Sequence, residues 1–148
     1  MNKLSHFDEQ GKIKMVDVGS KPIQKRIATA TAELHLQPAT VRLLKKKALP
    51  KGDALTCAQV AGIQAAKKTS ELIPLCHLLA LNSIQIEFKL QKDRLKIFAI
   101  VSCQEKTGAE MEALTAVAIT ALTLYDMTKA VDKTMKVTNL RLLAKEKF

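Results

Sequence analysis

The sequence predicts an α+β domain of ferredoxin-like plan, with a four-stranded antiparallel sheet and helices packed on one face. Two observations carry that prediction. Alternating or strand-like segments fall near positions 26–36, 83–90, 95–103 and 135–144, and period-2 alternation is the signature of a half-buried strand. Helix-forming stretches separate the first strand from the second and the third from the fourth. The resulting order of strand, two helices, two strands, one long helix and strand matches a split β-α-β plan. With 148 residues, 47% of them hydrophobic, the chain can build one proper core.

Residues 1–25 read as an irregular N-terminal arm, and residues 26–148 as a single domain. Within the arm, MVDV at 15–18 is a candidate extended piece. In the first strand Ala28, Ala30, Ala32, Leu34 and Leu36 alternate with Thr29, Thr31, Glu33 and His35. Pro38 suits the first turn of a helix reaching about Lys47, and Lys45, Lys46 and Lys47 belong on a solvated face. Pro50 and Gly52 turn the chain and present Lys51 on a loop. Asp53 caps a helix running from about Ala54 to Lys68. Ser70 opens a new turn, SELIPLCHLLAL, interrupted by Pro74. In the second strand Ile84, Ile86, Phe88 and Leu90 alternate with Gln85, Glu87 and Lys89. A polar connection at 91–94 makes a hairpin to the third strand. One sheet face takes the helices; the other, rich in Thr and small residues, is left for a partner.

The long helix follows Gly108. It carries Glu110 and Glu112, then thirteen uncharged residues at 113–125, then Asp126, Lys129, Asp132 and Lys133. Apolar or small residues all round mean burial on most sides, and thirteen residues fall short of the roughly 20 that cross a bilayer. At about 100° per residue, Glu112, Asp126 and Lys129 fall on one side and Glu110 nearly opposite. Glu112 and Lys129 are seventeen positions apart, roughly 25 Å along a helix. Either the two ends serve different sites, or an antiparallel second copy unites them across a two-fold axis. Acids favour a helix N-terminus and cations its C-terminus, so Asp126 is the charge that ordinary helix electrostatics leaves unexplained.

Net charge is +10, from 24 Lys and Arg against 14 Asp and Glu. Such a balance suits polyanions, whether nucleic acid, anionic membrane or a phosphorylated small molecule. Aromatics are only 3%, which argues against a single-strand binder that needs stacking platforms. Three scattered cysteines without a C-x-x-C point to a reduced cytoplasmic protein rather than a disulfide framework or zinc ribbon. The polar N-terminus has no apolar stretch of the kind a secretory signal needs.

Two short motifs carry candidate chemistry. LIPLCH places Cys76 beside His77 just after Pro74. Adjacent residues share no face well, which disfavours a joint metal site; His77 is either structural or a proton carrier or phosphate donor. KTG at 106–108 lacks the order of a phosphate loop, but a Lys, a Gly and a helix N-terminus can form an anion site. Arg26, Lys51, Lys67 and Lys129 gain meaning only if they meet His77 and the acids in space.

KGDALTCAQVAGIQAAKKT, ELIPLCH, KTGAEMEALTAV and LTLYDMTKAVDK together resemble the MoaC family of molybdenum cofactor biosynthesis. MVDV near the start and RLLAK near the end fit as well. The resemblance covers nearly the whole chain. The sequence departs from the family pattern at Leu78, where Pro is usual, at Glu105, where Gly is usual, and at AKEKF, where a Gly- and Lys-rich tail is usual. The resemblance implies a ferredoxin-like lyase that converts 3′,8-cyclo-7,8-dihydroguanosine 5′-triphosphate to cyclic pyranopterin monophosphate with loss of pyrophosphate. It implies a hexamer built as a trimer of dimers, with sites at dimer interfaces and no nucleic acid or membrane partner. The sequence shows no required cofactor, and a divalent metal could accompany the triphosphate. Asp126, Lys129 and Lys51 match the family's catalytic positions. Leu75, Cys76, His77, Met111 and Glu112 match substrate-binding positions, and Arg26, Lys67, Glu110 and Lys145 are weaker carry-overs. On this reading His77, Lys51 and Arg26 contact phosphate and ring. Asp126 with Lys129 is the proton-transfer pair, since i,i+3 helix neighbours touch.

Two rival readings have less support. A non-catalytic basic module would bind RNA on the sheet, but the chain lacks the aromatic residues such sheets use. A metal-dependent phosphohydrolase would use Glu110, Glu112 and His77, but no compact ligand motif is present.

Overall fold

The computed structural model describes residues 5–148, so the first four residues of the expected arm lie outside the described residues. The elements run β1 (Gln24–His35), α1 (Pro38–Lys45), α2 (Ala54–Lys67), α3 (Thr69–Leu72), β2 (Leu81–Leu90), β3 (Arg94–Glu105), α4 (Glu110–Thr128) and β4 (Lys136–Lys147). The four strands form one antiparallel sheet in the order β2-β3-β1-β4. This is the α+β arrangement expected of a ferredoxin-like plan, with helices on one face.

Alternation decides which sheet face is buried. Ala28, Ala30, Ala32 and Leu34 of β1, and Leu95, Ile97, Ala99, Val101 and Cys103 of β3, are at most 1% exposed. Ala113, Ala116, Val117, Ala121 and Leu124 of α4 join the same core. Alanines on both surfaces let helix and sheet approach closely, and each buried Leu, Ile or Val stabilises the fold by about 1.5–3 kcal/mol. Gly62 of α2 serves the same end between helices. A methyl group there would overlap Thr120 Oγ1 and crowd the Ala116 carbonyl.

Several boundaries differ from the sequence reading. β1 starts at Gln24 because it pairs there with Glu105 of β3, and β4 continues past Ala144 to Lys147 because it pairs with β1 as far as Arg26↔Lys147. α1 stops at Lys45; Lys47 takes a left-handed φ of 52°, and its Nζ contacts Asp53 at 2.7 Å. No strand forms at 15–18, and α3 adds one short turn after α2.

Asp132, in the charged stretch after α4, has a structural role. It is 1% exposed. Its carboxylate accepts from Gln37 N–H at 2.8 Å, Thr40 Oγ1 at 3.0 Å, Thr134 N–H at 3.0 Å and Thr134 Oγ1 at 2.9 Å. Burial pushes its pKa up, but these donors outweigh burial and hold it below the usual carboxylate value. Asp132→Ala should cost about 2–3 kcal/mol at pH 7, from lost charge-assisted bonds and stranded donors. A carboxyl depressed by folding stabilises above its unfolded pKa of about 3.9 and loses that contribution as pH falls through the folded value. Urea unfolding should therefore show a smaller gap between wild type and variant in acid than at pH 7.

Candidate active site

One charged cluster forms at the C-terminal end of α4. The turn before α2 delivers Lys51: Gly52 has a left-handed φ of 92°, and its N–H donates to the Leu49 carbonyl at 3.0 Å. Asp53 then caps α2 by accepting from Thr56 N–H at 3.2 Å. So placed, Lys51 Nζ donates to Asp126 Oδ2 at 2.9 Å and to the Asp126 carbonyl at 3.0 Å. Lys129 Nζ reaches Asp126 Oδ1 at 2.7 Å. These lysines answer the puzzle of an acid at a helix C-terminus. Hydrogen bonds from Lys129 and then Lys51 hold the Asp126 carboxyl down at about 2, and Asp126 raises Lys129 in return. The cluster therefore centres on a carboxylate that stays ionised at neutral pH, with a lysine on each oxygen.

A second group gathers at the other end of α4. A cavity of about 150 Å³ is lined by Leu75, Cys76, His77, Glu110, Met111 and Glu112, together with Leu79, Thr107 and Gly108. Helical angles alone separated Glu110 from Glu112, yet both line this cavity, which sits over the first turn of α4 rather than along its flank. Glu112 is 4% exposed. Burial raises its pKa, and the Glu110 charge adds to that, against an opposing backbone hydrogen bond. Burial and the Glu112 charge also push the Cys76 thiol up. A thiol held protonated is a poor nucleophile, so Cys76 suits lining the site rather than attacking within it. Gly108 leaves the room that the Glu110 carboxylate occupies.

Beside it lies a cavity of about 250 Å³ that shares Gly108 and Glu110 and is lined also by Arg26, Lys145 and Lys147. Arg26 Nη2 donates to Gln24 Oε1 and to the Lys106 carbonyl, both at 3.2 Å. Arg26 Nε is buried with no hydrogen-bond partner among the described residues. Lys145, carried by the extension of β4, contacts Glu110 at 3.3 Å. Lys67, exposed in the last turn of α2, lines neither cavity. The sequence-predicted residues thus fall into two groups on one chain. Lys51, Asp126 and Lys129 occupy one end of α4; the rest, except Lys67, surround its other end.

Sequence reasoning missed what holds the second group in place. The Val16 carbonyl meets His77 Nε2 at 2.7 Å, and Lys106 Nζ, part of the anion-site reading of KTG, donates instead to the Gly19 carbonyl at 2.6 Å. Backbone carbonyls carry no sequence signature; MVDV was the only signal. Glu105, at a position where the family pattern has Gly, accepts from Ala80 N–H at 3.2 Å and so ties down the chain just after His77. Leu78 stands 81% exposed, so the absence of Pro there disturbs no packing.

The burial expected on most sides of α4 is not complete. Leu122 is 57% exposed and Met111 and Tyr125 36% each, because the sheet and α2 cover only the opposite flank. Asp126 and Lys129 lie on the uncovered side. On the sheet's other face Phe98 alternates with the fully buried Ile97 and Ala99 and is itself half-buried. One half-buried ring is a poor stacking platform for RNA. Among the described residues no helix is long and apolar enough to cross a membrane, and no group of three or more His, Cys, Asp or Glu is placed to hold a metal ion.

Known relatives match nearly the whole chain. A family model described as the MoaC family matches residues 15–147. The chain is 53% identical over 146 residues to a cyclic pyranopterin monophosphate synthase of Chloroflexus aurantiacus, covering 97% of this chain and 90% of that protein. It is 50% identical to a protein of the same name from Parvibaculum lavamentivorans, covering 97% and 91%. It is also 48% identical to molybdenum cofactor biosynthesis protein 1 of Mus musculus, covering 97% of this chain and 23% of that much longer protein.

Proposed function

The chain belongs to the MoaC family, and on that premise we propose that it is a cyclic pyranopterin monophosphate synthase. It is an enzyme of molybdenum cofactor biosynthesis, a lyase acting on a small nucleotide-derived molecule. It converts 3′,8-cyclo-7,8-dihydroguanosine 5′-triphosphate to cyclic pyranopterin monophosphate and releases pyrophosphate.

The single observation that carries the residue assignment is the ionised Asp126 with a lysine on each oxygen. Opening and re-closing a purine ring needs groups that take and return protons. Asp126 with Lys129 is the proton-transfer pair in our assignment. Closing the cyclic phosphate expels pyrophosphate and builds negative charge on phosphate oxygens, which fixed cations stabilise. Arg26, whose Nε has no hydrogen-bond partner among the described residues, Lys145 and Lys51 are assigned that task. Glu112, whose pKa burial raises, and His77 are assigned to the ring, with Glu110, Leu75, Cys76 and Met111 forming its walls. Lys67 keeps only its family assignment as a substrate contact. No resident cofactor enters these steps; a divalent ion would arrive with the triphosphate.

Glu112 and Lys129 are assigned to one site yet lie roughly 25 Å apart on one helix. The uncovered side of α4 supports a dimer in which an antiparallel copy closes that gap. We assign the assembly as a hexamer, a trimer of such dimers, and place it in the cytoplasm, in keeping with three free cysteines. The direct test is incubation with the cyclic nucleotide. Pyrophosphate and a pterin product should appear together, and protein that leaves the nucleotide intact would overturn the proposal.

A further inference from the structure

Two hydrogen bonds tie a stretch of the N-terminal arm to the candidate site. The Val16 carbonyl lies 2.7 Å from His77 Nε2, and the Gly19 carbonyl accepts from Lys106 Nζ at 2.6 Å. The stretch is also braced from within. Asp17 Oδ1 accepts Gly19 N–H at 2.7 Å, and the Val18 carbonyl accepts Lys21 N–H at 3.0 Å. Val16 and Val18 are half-buried, whereas Met15 and Asp17 are exposed. Residues 16–19 therefore form a strap, clipped at Lys106 just ahead of α4 and resting on the ring of His77.

A carbonyl oxygen can only accept a hydrogen bond, and a neutral imidazole carries its proton on one nitrogen. At 2.7 Å from the Val16 oxygen, an unprotonated Nε2 would set lone pair against lone pair. The proton therefore sits on Nε2, and Nδ1 is left as the acceptor. The hydrogen bond made by one ring nitrogen fixes what the other can do.

We propose that the strap at 16–19 is a positioning element that locks His77 in its Nε2–H form and so presents Nδ1 as the acceptor in the cavity shared with Glu110 and Glu112. A proton taken at Nδ1 gives an imidazolium whose Nε2–H stays bonded to the Val16 carbonyl, which stabilises the positive charge. The proposal rests on the proposed function only for what Nδ1 acts upon; the protonation pattern itself does not depend on it.

Nitrogen-15 NMR of the full chain labelled at histidine tests this, with His77 signals identified by their loss in His77→Gln. At a pH where the ring is neutral, Nε2 should show the protonated shift and Nδ1 the unprotonated one. The double variant Lys106→Met with Asp17→Ala, which releases the strap, should mix the two forms. Its kcat should fall about tenfold, part of the ~10²–10⁴ that a positioned proton-transfer group supplies, with KM little changed. Lys106→Arg keeps a donor for Gly19 and should restore the wild-type pattern. A protonated Nδ1 in the wild type, or an unchanged pattern and kcat in the double variant, would overturn the proposal. Wild type that shows the Nε2–H form but does not turn over the cyclic nucleotide would sink the functional assignment and leave the strap standing.

Discussion

Asp126→Asn should leave a folded, assembled protein that has lost about 10²–10⁴ of its turnover, the range for removing a positioned proton-transfer group. The substitution keeps the shape of the side chain and removes its charge. Lys51 and Lys129 then lose the carboxylate that holds each at 2.9 and 2.7 Å, and the site loses one member of its proposed proton-transfer pair. Stability should change little, because the cluster is solvent-exposed and such ion pairs contribute modestly. The same asymmetry separates Asp126 from Asp132, whose loss should destabilise the fold rather than act on the chemistry. Pyrophosphate release alongside a thermal melt checks both halves of the expectation. Turnover within a few-fold of wild type would remove Asp126 from the chemistry.

Much of this was legible in the residues, for reasons that are local. The alternation of Ala28 to Leu34, the Asp53 cap and the turn around Gly52 each act within a few positions. They therefore predicted β1, α2 and the presentation of Lys51. Edge pairing was not legible. AKEKF looks like a polar tail, yet its backbone pairs with β1 as far as Arg26↔Lys147, and this is what carries Lys145 to Glu110. Periodicity reports on side chains facing a core, and an edge strand needs only backbone partners. The meeting of Lys51 with Asp126 spans 75 positions. Each partner could be placed on its element, but bringing them together required the family resemblance. Helical angles likewise put Glu110 and Glu112 on different sides. They cannot register a cavity that sits over the end of a helix, where both side chains converge.

The central claim is a single site built from the two ends of α4 in two copies of the chain. Glu112→Ala and Lys129→Ala proteins should each be nearly inactive alone. Mixed and reassembled, they should form some dimers with one chain of each kind. In such a dimer one site carries both lesions and the other carries neither. Random pairing makes about half the dimers mixed, each with one intact site of two. Roughly a quarter of wild-type activity should then return, as an isologous interface requires. Mass analysis of differently tagged chains confirms that both variants fold and exchange. Recovery near that fraction is the result this account predicts; verified mixed dimers without any recovery would contradict it.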